Sequence, residues 1–380
     1  MSPEPNAPIP SPHGLLHCER LVMPTLFDPV QLGAIRAPNR ILMAPLTRGR
    51  ATAGHVPTPL MADYYRQRAS AGLIISEATG ISQQGLGWPF APGIWSTEQV
   101  QAWQLVTSAV HEAGGRIICQ LWHMGRLVHP SYLTGSAPVS ASITTAPGHA
   151  HTYNGNQPYA QARALGISEI AELTETYRLA ACHALEAGFD GVQIHAANGY
   201  LIDQFLRDGT NHRSDAYGGT LENRVRLLQE VTQAVVNAIG ADRVAVRLSP
   251  NGEVQGCNDS HPEALFPAAA AVLSRLGIAF LELREPPPDS SFVGPDRPPI
   301  APAIRKMFSG PLVLNSDYTP ERATATLEDG EADAIAFGRP FIANPDLPRR
   351  LRDNLSLAIP DRETFYTQGK HGYTDYASAA

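Results

Sequence analysis

The sequence predicts a single (β/α)8 barrel with an insertion that caps the C-terminal face after the third strand. Short β-rich apolar runs recur eight times along the 380 residues, and a longer segment with helical periodicity follows each of them. The length alone would suit two average domains or one large barrel. The eightfold repeat is what favours the barrel.

The eight runs are bounded by turn residues and rich in valine, isoleucine, leucine and phenylalanine. They are RILMAPL (40–46), GLIISEAT (72–79), RIICQLW (116–122), GVQIHAA (191–197), VAVRLSP (244–250), FLELREP (280–286), PLVLNSD (311–317) and AIAFGRP (334–340). We number them one to eight as the predicted barrel strands.

Helix signals lie between these runs. Ser96 or Thr97 is placed to cap the helix after strand two, Gly114 to end it, and Ser168 to cap the helix before strand four. The pair Ala-Gly recurs before strands two, three and four, as at 71–72, and indicates a helix end followed by a short connection. An open doubly wound sheet is the alternative, but its G-x-G-x-x-G signature is missing after the first strand, which ends in APLTRGR.

Three segments do not fit the repeat. Residues 123–166 contain prolines, glycines and short β-like pieces but no helical pattern, so we expect a cap or lid above strand three. Residues 286–299 are a second, proline-rich loop. Residues 1–23 are proline-rich and are predicted to be a flexible tail, with the barrel domain spanning residues 24–380.

Composition narrows the class of protein. The chain is 43% hydrophobic with a formal net charge of -7, which argues against nucleic acid or an anionic membrane as its main partner. The N-terminus lacks the pattern of a secretory signal, and no window is apolar enough to span a membrane. Four widely spaced cysteines form no C-x-x-C pair, which indicates reduced thiols and a cytoplasmic location.

Hydrogen-bonding side chains lie at the C-terminal end of nearly every predicted strand. The active site of a barrel enzyme lies at these strand ends, so this pattern is typical of a barrel enzyme. They include Thr47, Glu77, Gln120, Trp122, His195, Asn198, Arg247, Arg284, Glu285, Asn315, Ser316 and Arg339. Each residue alone also fits a structural role, for example a barrel ion pair for Arg247. Only strand four ends in a histidine, so a metal-dependent hydrolase is disfavoured and no metal site is predicted.

Strands seven and eight carry a further signal. The loops after these strands bind phosphate in many barrels, through backbone N–H groups at the start of a helix. Here residues 315–317 and the pair Gly338 and Arg339 occupy those positions, which predicts a phosphate-bearing cofactor. A tight turn with a surface arginine is the alternative.

Several stretches resemble the old yellow enzyme family of FMN-dependent ene-reductases, across residues 24–376. They are APLTR (44–48), EAT (77–79), QLWHMGR (120–126), IHAANGYLIDQFLRDGTNHRSDAYGGTLENR (194–224), VRLSP (246–250), FGRPFIANPDL (337–347) and GYTDY (372–376). The long block from 194 to 224 is the most specific of them.

The resemblance implies that FMN lies across the barrel mouth, with NADPH or NADH as the reductant. The residues that it places against the cofactor are Pro45, Thr47, Ala78, Gln120, Arg247, Asn315, Ser316, Asp317, Gly338 and Arg339. Arg247 is suited to stabilise the negative charge of the reduced ring.

The resemblance also assigns the catalytic groups. His195 and Asn198 match the pair that donates hydrogen bonds to the carbonyl oxygen of an activated alkene, and Tyr200 matches the proton donor to its α-carbon. The small-molecule substrate is thus an α,β-unsaturated carbonyl or nitro compound that accepts hydride at its β-carbon. Trp122, Phe341 and Tyr373 are expected to form aromatic pocket walls.

Two positions depart from common family patterns. Strand seven reads LNSDYT where many relatives have a glycine pair, so the Ser316 and Asp317 backbone would bind the phosphate with the acidic side chain turned away. The second oxygen donor is Asn198 where other relatives have histidine. A binding protein without turnover is the rival class, but it does not need the donor pair and Tyr200. The sequence leaves a monomer and a homodimer equally open.

Overall fold

The computed structural model describes residues 23–290 and 294–379. The predicted tail therefore lies outside the described residues, apart from the exposed Met23. Eight parallel strands form a closed sheet in this structure, and the predicted (β/α)8 barrel is confirmed. The strands are β1 (Ile41–Met43), β2 (Ile74–Ile75), β3 (Ile117–Trp122), β4 (Val192–His195), β5 (Val244–Leu248), β6 (Phe280–Arg284), β7 (Leu312–Asn315) and β8 (Ala334–Phe337).

Neighbouring strands in the chain are neighbours in the barrel, and the pairing of the last strand with the first closes it. Strand β8 pairs with β1, with Ala336 opposite Leu42, and β3 pairs with β4, with Gln120 opposite Gln193. All eight predicted runs therefore form the barrel. The short strand Thr79–Gly80 adds a second pairing with the end of β3.

The outer layer consists of helices that follow the strands. They are α1 (Pro59–Gln67), α2 (Thr97–Glu112), α3 (Ile167–Glu186), α4 (Leu221–Ile239), α5 (Pro262–Leu276), α6 (Ala301–Met307), α7 (Pro320–Glu328) and α8 (Leu347–Arg352). Two further short helices, Leu201–Leu206 and Arg339–Ala343, follow β4 and β8.

Two of the predicted helix caps can be compared with the structure. Ser96 caps α2 as predicted, since its hydroxyl accepts a hydrogen bond from the Gln99 N–H at 3.2 Å. The cap at Ser168 is wrong, because α3 begins at Ile167 and its N-cap is Gly166. The Glu169 carboxylate accepts from the Gly166 N–H at 2.8 Å, and this bond fixes the earlier start.

The barrel interior is closed at its N-terminal end by a small hairpin. Val30–Leu32 and Ile35–Ala37 pair antiparallel, and their apolar side chains cluster with inward-facing residues of the barrel such as Phe280 and Val313. The hairpin tip is held by the Ala34 N–H, which donates to the Asp242 carbonyl at 2.8 Å. Because this end is filled, the open end of the barrel is the C-terminal one.

The insertion at 123–166 contains no α-helix, as predicted. It has two short 3-10 turns, a parallel pair of two-residue strands, and the hairpin His149–Thr152 with Gly155–Pro158. The hairpin contacts the loop after β2, where the Tyr153 hydroxyl accepts a hydrogen bond from the Phe90 N–H at 3.3 Å. The described parts of the second loop, 286–290 and 294–299, contain neither helix nor strand.

Two buried arginines after β1 fix the C-terminal segment. Arg48 donates through Nη2 to the Gly372 carbonyl at 2.8 Å, and Arg50 donates through Nη1 to the Phe365 carbonyl at 2.7 Å. Both side chains are 2% exposed or less, so these bonds are formed away from water. They hold residues 357–366 beside the open end of the barrel.

In the described ranges, no helix has the length and apolar character needed to cross a membrane. Cys119, Cys182 and Cys257 are free thiols.

Candidate active site

A cavity of about 780 Å³ opens at the C-terminal ends of the barrel strands. Its size suits a ligand as large as a nucleotide cofactor. The strand ends supply most of its lining: Ala44, Pro45, Leu46, Thr47, Asn198, Tyr200, Arg247, Arg284, Asn315, Ser316, Asp317, Ala336, Phe337, Gly338 and Arg339. The structure therefore brings most of the predicted site residues to one cavity.

The turn after β4 places Asn198 and Tyr200 in that cavity. Asn198 and Gly199 both have positive φ, 58° and 77°, as expected for a sharp turn at this glycine. A Cβ atom at Gly199 would meet the Val254 carbonyl oxygen at 2.7 Å, so only glycine fits without movement.

Polar groups below the turn fix its shape. The Ser249 hydroxyl accepts from the Asn198 N–H, and an Asp203 carboxylate oxygen accepts from the Gly199 N–H, each at 2.8 Å. Asp203 also pairs with Arg207 at 2.8 Å, and the Arg207 guanidinium donates to the Ser249 carbonyl. The orientation of Asn198 is therefore determined by a buried network rather than by the loop alone.

We expect that Asp203→Ala will destabilise the protein by about 3–5 kcal/mol, because it leaves the Arg207 charge buried without its partner. The two side chains of the pair are 1% and 4% exposed. Urea unfolding measures the loss. The control is Glu175→Ala, which breaks an exposed pair with Arg178 and should cost less than about 1 kcal/mol. Equal losses in the two variants would contradict this account.

His195 is buried, neutral and oriented as a donor. Burial, together with the nearby Arg247, holds the pKa of His195 well below its usual value. Its Nδ1 accepts a hydrogen bond from the Ala197 N–H at 3.3 Å, which puts the imidazole proton on Nε2. His195 can therefore donate a hydrogen bond to a substrate without becoming charged.

Tyr200 keeps its proton. Burial raises the pKa of Tyr200 above its ordinary value, so the phenol is protonated at neutral pH and is available as an acid. Its ring packs edge-on against Trp122, with centroids 5.0 Å apart, and against His195 at 4.8 Å. Asn198 adds a polar group beside it, and its Oδ1 is buried without a hydrogen-bond partner among the described residues.

A chain of polar side chains crosses the barrel interior under the cavity. Gln120 on β3 donates to Gln193 on β4 at 2.7 Å, and Gln193 donates to Glu282 on β6 at 2.6 Å. Glu282 pairs with Arg247 on β5 at 3.3 Å. Arg247 in turn donates to the Asn315 side chain on β7 at 2.7 Å. Two predicted cofactor residues, Gln120 and Arg247, are thus linked through groups that the sequence analysis did not select.

The end of the cavity near β7 and β8 is positively charged. Burial, together with Arg247 and Arg339 nearby, lowers the pKa of Arg284 to about 10, and Asp317 opposes this effect. Three guanidinium groups this close together favour an anionic ligand. Ser316 and Asp317 have positive φ, 121° and 48°, although neither is glycine.

The acidic side chain at this end is placed differently from the prediction. Asp317 was expected to turn away from the phosphate site, but its carboxylate forms an ion pair with Arg339 and accepts from the Ser290 hydroxyl at 3.0 Å. The helix that follows Gly338 has only five residues, so little of a helix dipole is available there. An anion at this end would depend mainly on the arginines.

Two predicted wall residues are not wall residues. Phe341 and Tyr373 are completely buried, and both belong to the core between strands and helices. Tyr373 stacks on Tyr64 with ring centroids 4.0 Å apart and is not among the residues that line the cavity. Trp122 is also buried and packs behind Tyr200.

Three other predicted residues lie behind the cavity lining. Ala78 belongs to an apolar cluster with Trp122, and Tyr200 packs against that cluster. Gln120 points toward Gln193, and His195 is only 3% exposed. These side chains support the cavity surface from below.

The C-terminal part of the lining was not among the predicted site residues. Residues 357–360, Arg362, Phe365 and Tyr366 border the cavity together with Arg48 and Trp88. Trp88 contacts both Tyr366 and the lid residue His151, at 5.2 and 4.4 Å between ring centroids. The TFYTQGKHGYTDY stretch is the signal that could have indicated this segment, since it is aromatic and lies beyond the last strand.

His123, at the start of the insertion, gives the fold a measurable acid sensitivity. Burial lowers the pKa of His123 to about 3 from an ordinary 6.5. Below pH 6.5 the unfolded chain therefore binds a proton that the folded chain does not bind, and stability is lost as the pH falls from 6.5 toward 3.

Replacing His123 with glutamine should remove this loss. We expect wild type to lose about 2–3 kcal/mol more than His123→Gln between pH 6.5 and 4.5, measured by urea unfolding. Because other groups titrate equally in both proteins, the difference isolates His123. Parallel pH profiles would contradict the prediction.

Comparison with known proteins gives matches along nearly the whole chain. Residues 25–358 match a family described as NADH:flavin oxidoreductase / NADH oxidase. A 12-oxophytodienoate reductase 7 from Oryza sativa subsp. japonica is 44% identical over an alignment of 370 residues, and the match covers 92% of this chain and 94% of that protein. The flavin oxidoreductase hxnT from Emericella nidulans is 42% identical over 381 residues, with coverage of 93% and 97%.

Solved structures agree with these matches. An old yellow enzyme homologue from Zymomonas mobilis is 62% identical, with a TM-score of 0.92, and the match covers 93% of this chain and 99% of that one. Morphinone reductase in complex with tetrahydroNAD is 46% identical, with a TM-score of 0.89 and coverage of 94% and 98%.

Proposed function

The chain belongs to the NADH:flavin oxidoreductase / NADH oxidase family, the old yellow enzyme family, and from this premise we propose that it reduces activated C=C bonds. It is an FMN-dependent oxidoreductase that uses a nicotinamide, NADPH or NADH. The proposed substrates are α,β-unsaturated carbonyl and nitro compounds. The observation that carries the proposal is the turn after β4, which puts Asn198 and Tyr200 in the cavity against a neutral His195.

The residues of the cavity fit FMN, which has a phosphate at one end and a hydrogen-bonding ring at the other. Arg284 and Arg339 would hold the phosphate, with the backbone of residues 315–317 and Gly338 beside them. Arg247, Pro45 and Thr47 would contact the ring. Ala78 and Gln120 remain proposed ligands, with side chains that lie behind the cavity lining. Bound FMN would supply the hydride-transfer chemistry between the nicotinamide and the β-carbon of the alkene.

His195 and Asn198 are proposed to bind the oxygen of the activating group. Hydride addition at the β-carbon pushes negative charge onto this oxygen, so donors that are already in place stabilise the transition state more than the ground state. A neutral imidazole with its proton on Nε2 and an amide on a fixed turn meet this requirement. Neither group needs to change its charge in order to donate.

Tyr200 is proposed to give its proton to the α-carbon. Its raised pKa keeps the phenol protonated, and its position two residues after Asn198 separates it from the oxygen-binding pair. The edge-on contacts with Trp122 and His195 restrict its ring to one orientation. One cavity therefore holds the oxygen donors and the acid at different ends of the same substrate.

The free thiols of the three described cysteines support a reducing compartment, and we propose the cytoplasm as the location.

An anaerobic absorbance experiment tests the proposed function. The purified protein should be yellow and should release FMN when it is denatured. NADPH or NADH should bleach the flavin absorbance, and one equivalent of a cyclic enone should restore it. An isolated alkene is the control and should leave the flavin bleached. A folded, colourless protein that takes up no added FMN would refute the proposal, and the rates of bleaching distinguish the two nicotinamides.

A further inference from the structure

Glu282 is an acidic residue in an unusual place. It lies on β6 inside the barrel, and its side chain is completely buried. Its neighbours on the same strand, Leu281 and Leu283, face the core between strands and helices, whereas Phe280 belongs to the interior cluster. A carboxylate at such a position is costly unless charged or polar partners surround it.

Both oxygens of Glu282 have partners. Oε2 accepts a hydrogen bond from Gln193 Nε2 at 2.6 Å, and Oε1 lies 3.3 Å from Arg247 Nε. The contact between Oε1 and Arg247 Nε is electrostatic, because its geometry does not meet that of a hydrogen bond. Neither of these two atoms has a hydrogen-bond partner among the described residues. A hydrogen-bond donor at one oxygen and a cation beside the other both favour the ionised form of a carboxylate.

Glu282 is therefore connected to two proposed cofactor residues at once. It faces Arg247 directly, and it reaches Gln120 through Gln193, which donates to Glu282 and accepts from Gln120 at 2.7 Å. Arg247 lines the cavity, but Glu282 does not, so the carboxylate acts from behind the cavity lining. Its charge opposes that of Arg247 at short range, where little water screens the interaction.

We propose that Glu282 is a positioning residue that lowers the reduction potential of the bound FMN by partly neutralising Arg247. The inference rests on the proposed function, because it requires the flavin ring to lie against Arg247. A cation beside the ring favours the reduced, negatively charged flavin. The adjacent carboxylate weakens that preference, and so keeps the flavin able to pass hydride onward to an alkene.

The decisive variant is Glu282→Gln, which keeps the side chain's shape and leaves an amide oxygen to accept from Gln193. It removes the negative charge and places the amide NH2 group beside Arg247 Nε, so Arg247 acts on the flavin uncompensated. We expect the equilibrium for two-electron reduction to shift at least tenfold toward reduced flavin, a rise in potential of about 30 mV. Bleaching by the nicotinamide should become faster, and reoxidation by the enone slower.

The measurement is equilibration of the FMN-loaded protein with a reference dye under anaerobic conditions. The control is Glu285→Gln, three residues along the chain, where a nearly buried carboxylate accepts from the N–H groups of Ile300 and Ala301 instead. This control should leave the potential unchanged. Glu282→Asp keeps the negative charge but moves it away from Arg247. The reduction potential of FMN should therefore rise less in Glu282→Asp than in Glu282→Gln.

Two results would overturn the inference. One is an unchanged potential in Glu282→Gln together with normal FMN binding, and the other is an equal rise in Glu285→Gln. If Glu282→Gln does not fold, Glu282→Asp is the deciding variant. An unchanged or lowered reduction potential of FMN in Glu282→Asp would contradict the proposal. Wild type that binds no FMN refutes the proposed function instead, so the two failures are distinguishable.

Discussion

Replacing Tyr200 with phenylalanine is expected to slow alkene reduction by about 10²–10⁴-fold while leaving flavin bleaching by the nicotinamide unchanged. The variant removes only the phenol hydroxyl. Its ring keeps the edge-on packing on Trp122 and His195, so the cavity should retain its shape. The loss should fall on one half of the catalytic cycle, because only the alkene needs a proton at carbon.

Anaerobic stopped-flow absorbance separates the two halves of the cycle for Tyr200→Phe. Tyr177→Phe is the matched control, because Tyr177 is a buried residue of α3 whose hydroxyl has no hydrogen-bond partner among the described residues. It should leave both rates unchanged. Equal slowing of bleaching and reoxidation in Tyr200→Phe would show that the hydroxyl supports the site rather than donating a proton.

Removing one of the oxygen donors should be nearly as costly. His195→Ala and Asn198→Ala are each expected to lower kcat/KM for a cyclic enone by about 10²–10³-fold, the usual effect of deleting one donor to a developing oxyanion. The double variant should lose less than the product of the two single effects, because both groups act on the same oxygen.

A conservative exchange tests whether a hydrogen bond is what matters at position 198. Asn198→His restores a donor on the same left-handed turn, and we expect it to recover most of the activity that Asn198→Ala loses. Steady-state kinetics with the enone measures this. If Asn198→His is as slow as Asn198→Ala, the contribution of Asn198 lies in the shape of the turn, which Ser249 and Asp203 determine, rather than in donation.

Features that depend on short stretches of sequence could be predicted. Each barrel strand is an apolar run with its own turn residues, so all eight were found, and the strand-end rule then brought His195, Asn198 and Arg247 to one side. The role of Tyr200 came from the family resemblance.

Features that depend on strand register or on contacts between distant residues could not be predicted from the sequence. Gln193 and Glu282 meet because β4, β5 and β6 are offset by particular amounts, and a sequence pattern does not fix that offset. Residues 357–366 line the cavity because Arg48 and Arg50, more than 300 positions earlier, bind the chain around them. Phe341 and Tyr373 are aromatic and near the site in sequence, but packing turns both into the core.

Isotope labelling of the product tests the central claim most directly, namely that one cavity delivers a nicotinamide-derived hydride to the β-carbon and a solvent-exchangeable proton to the α-carbon. An enone reduced with nicotinamide deuterated at the transferable position should carry deuterium at its β-carbon. The same reaction with unlabelled nicotinamide in D₂O should place deuterium at the α-carbon, since the phenol exchanges with solvent. Nicotinamide deuterium at the α-carbon, or none at the β-carbon, would contradict the account.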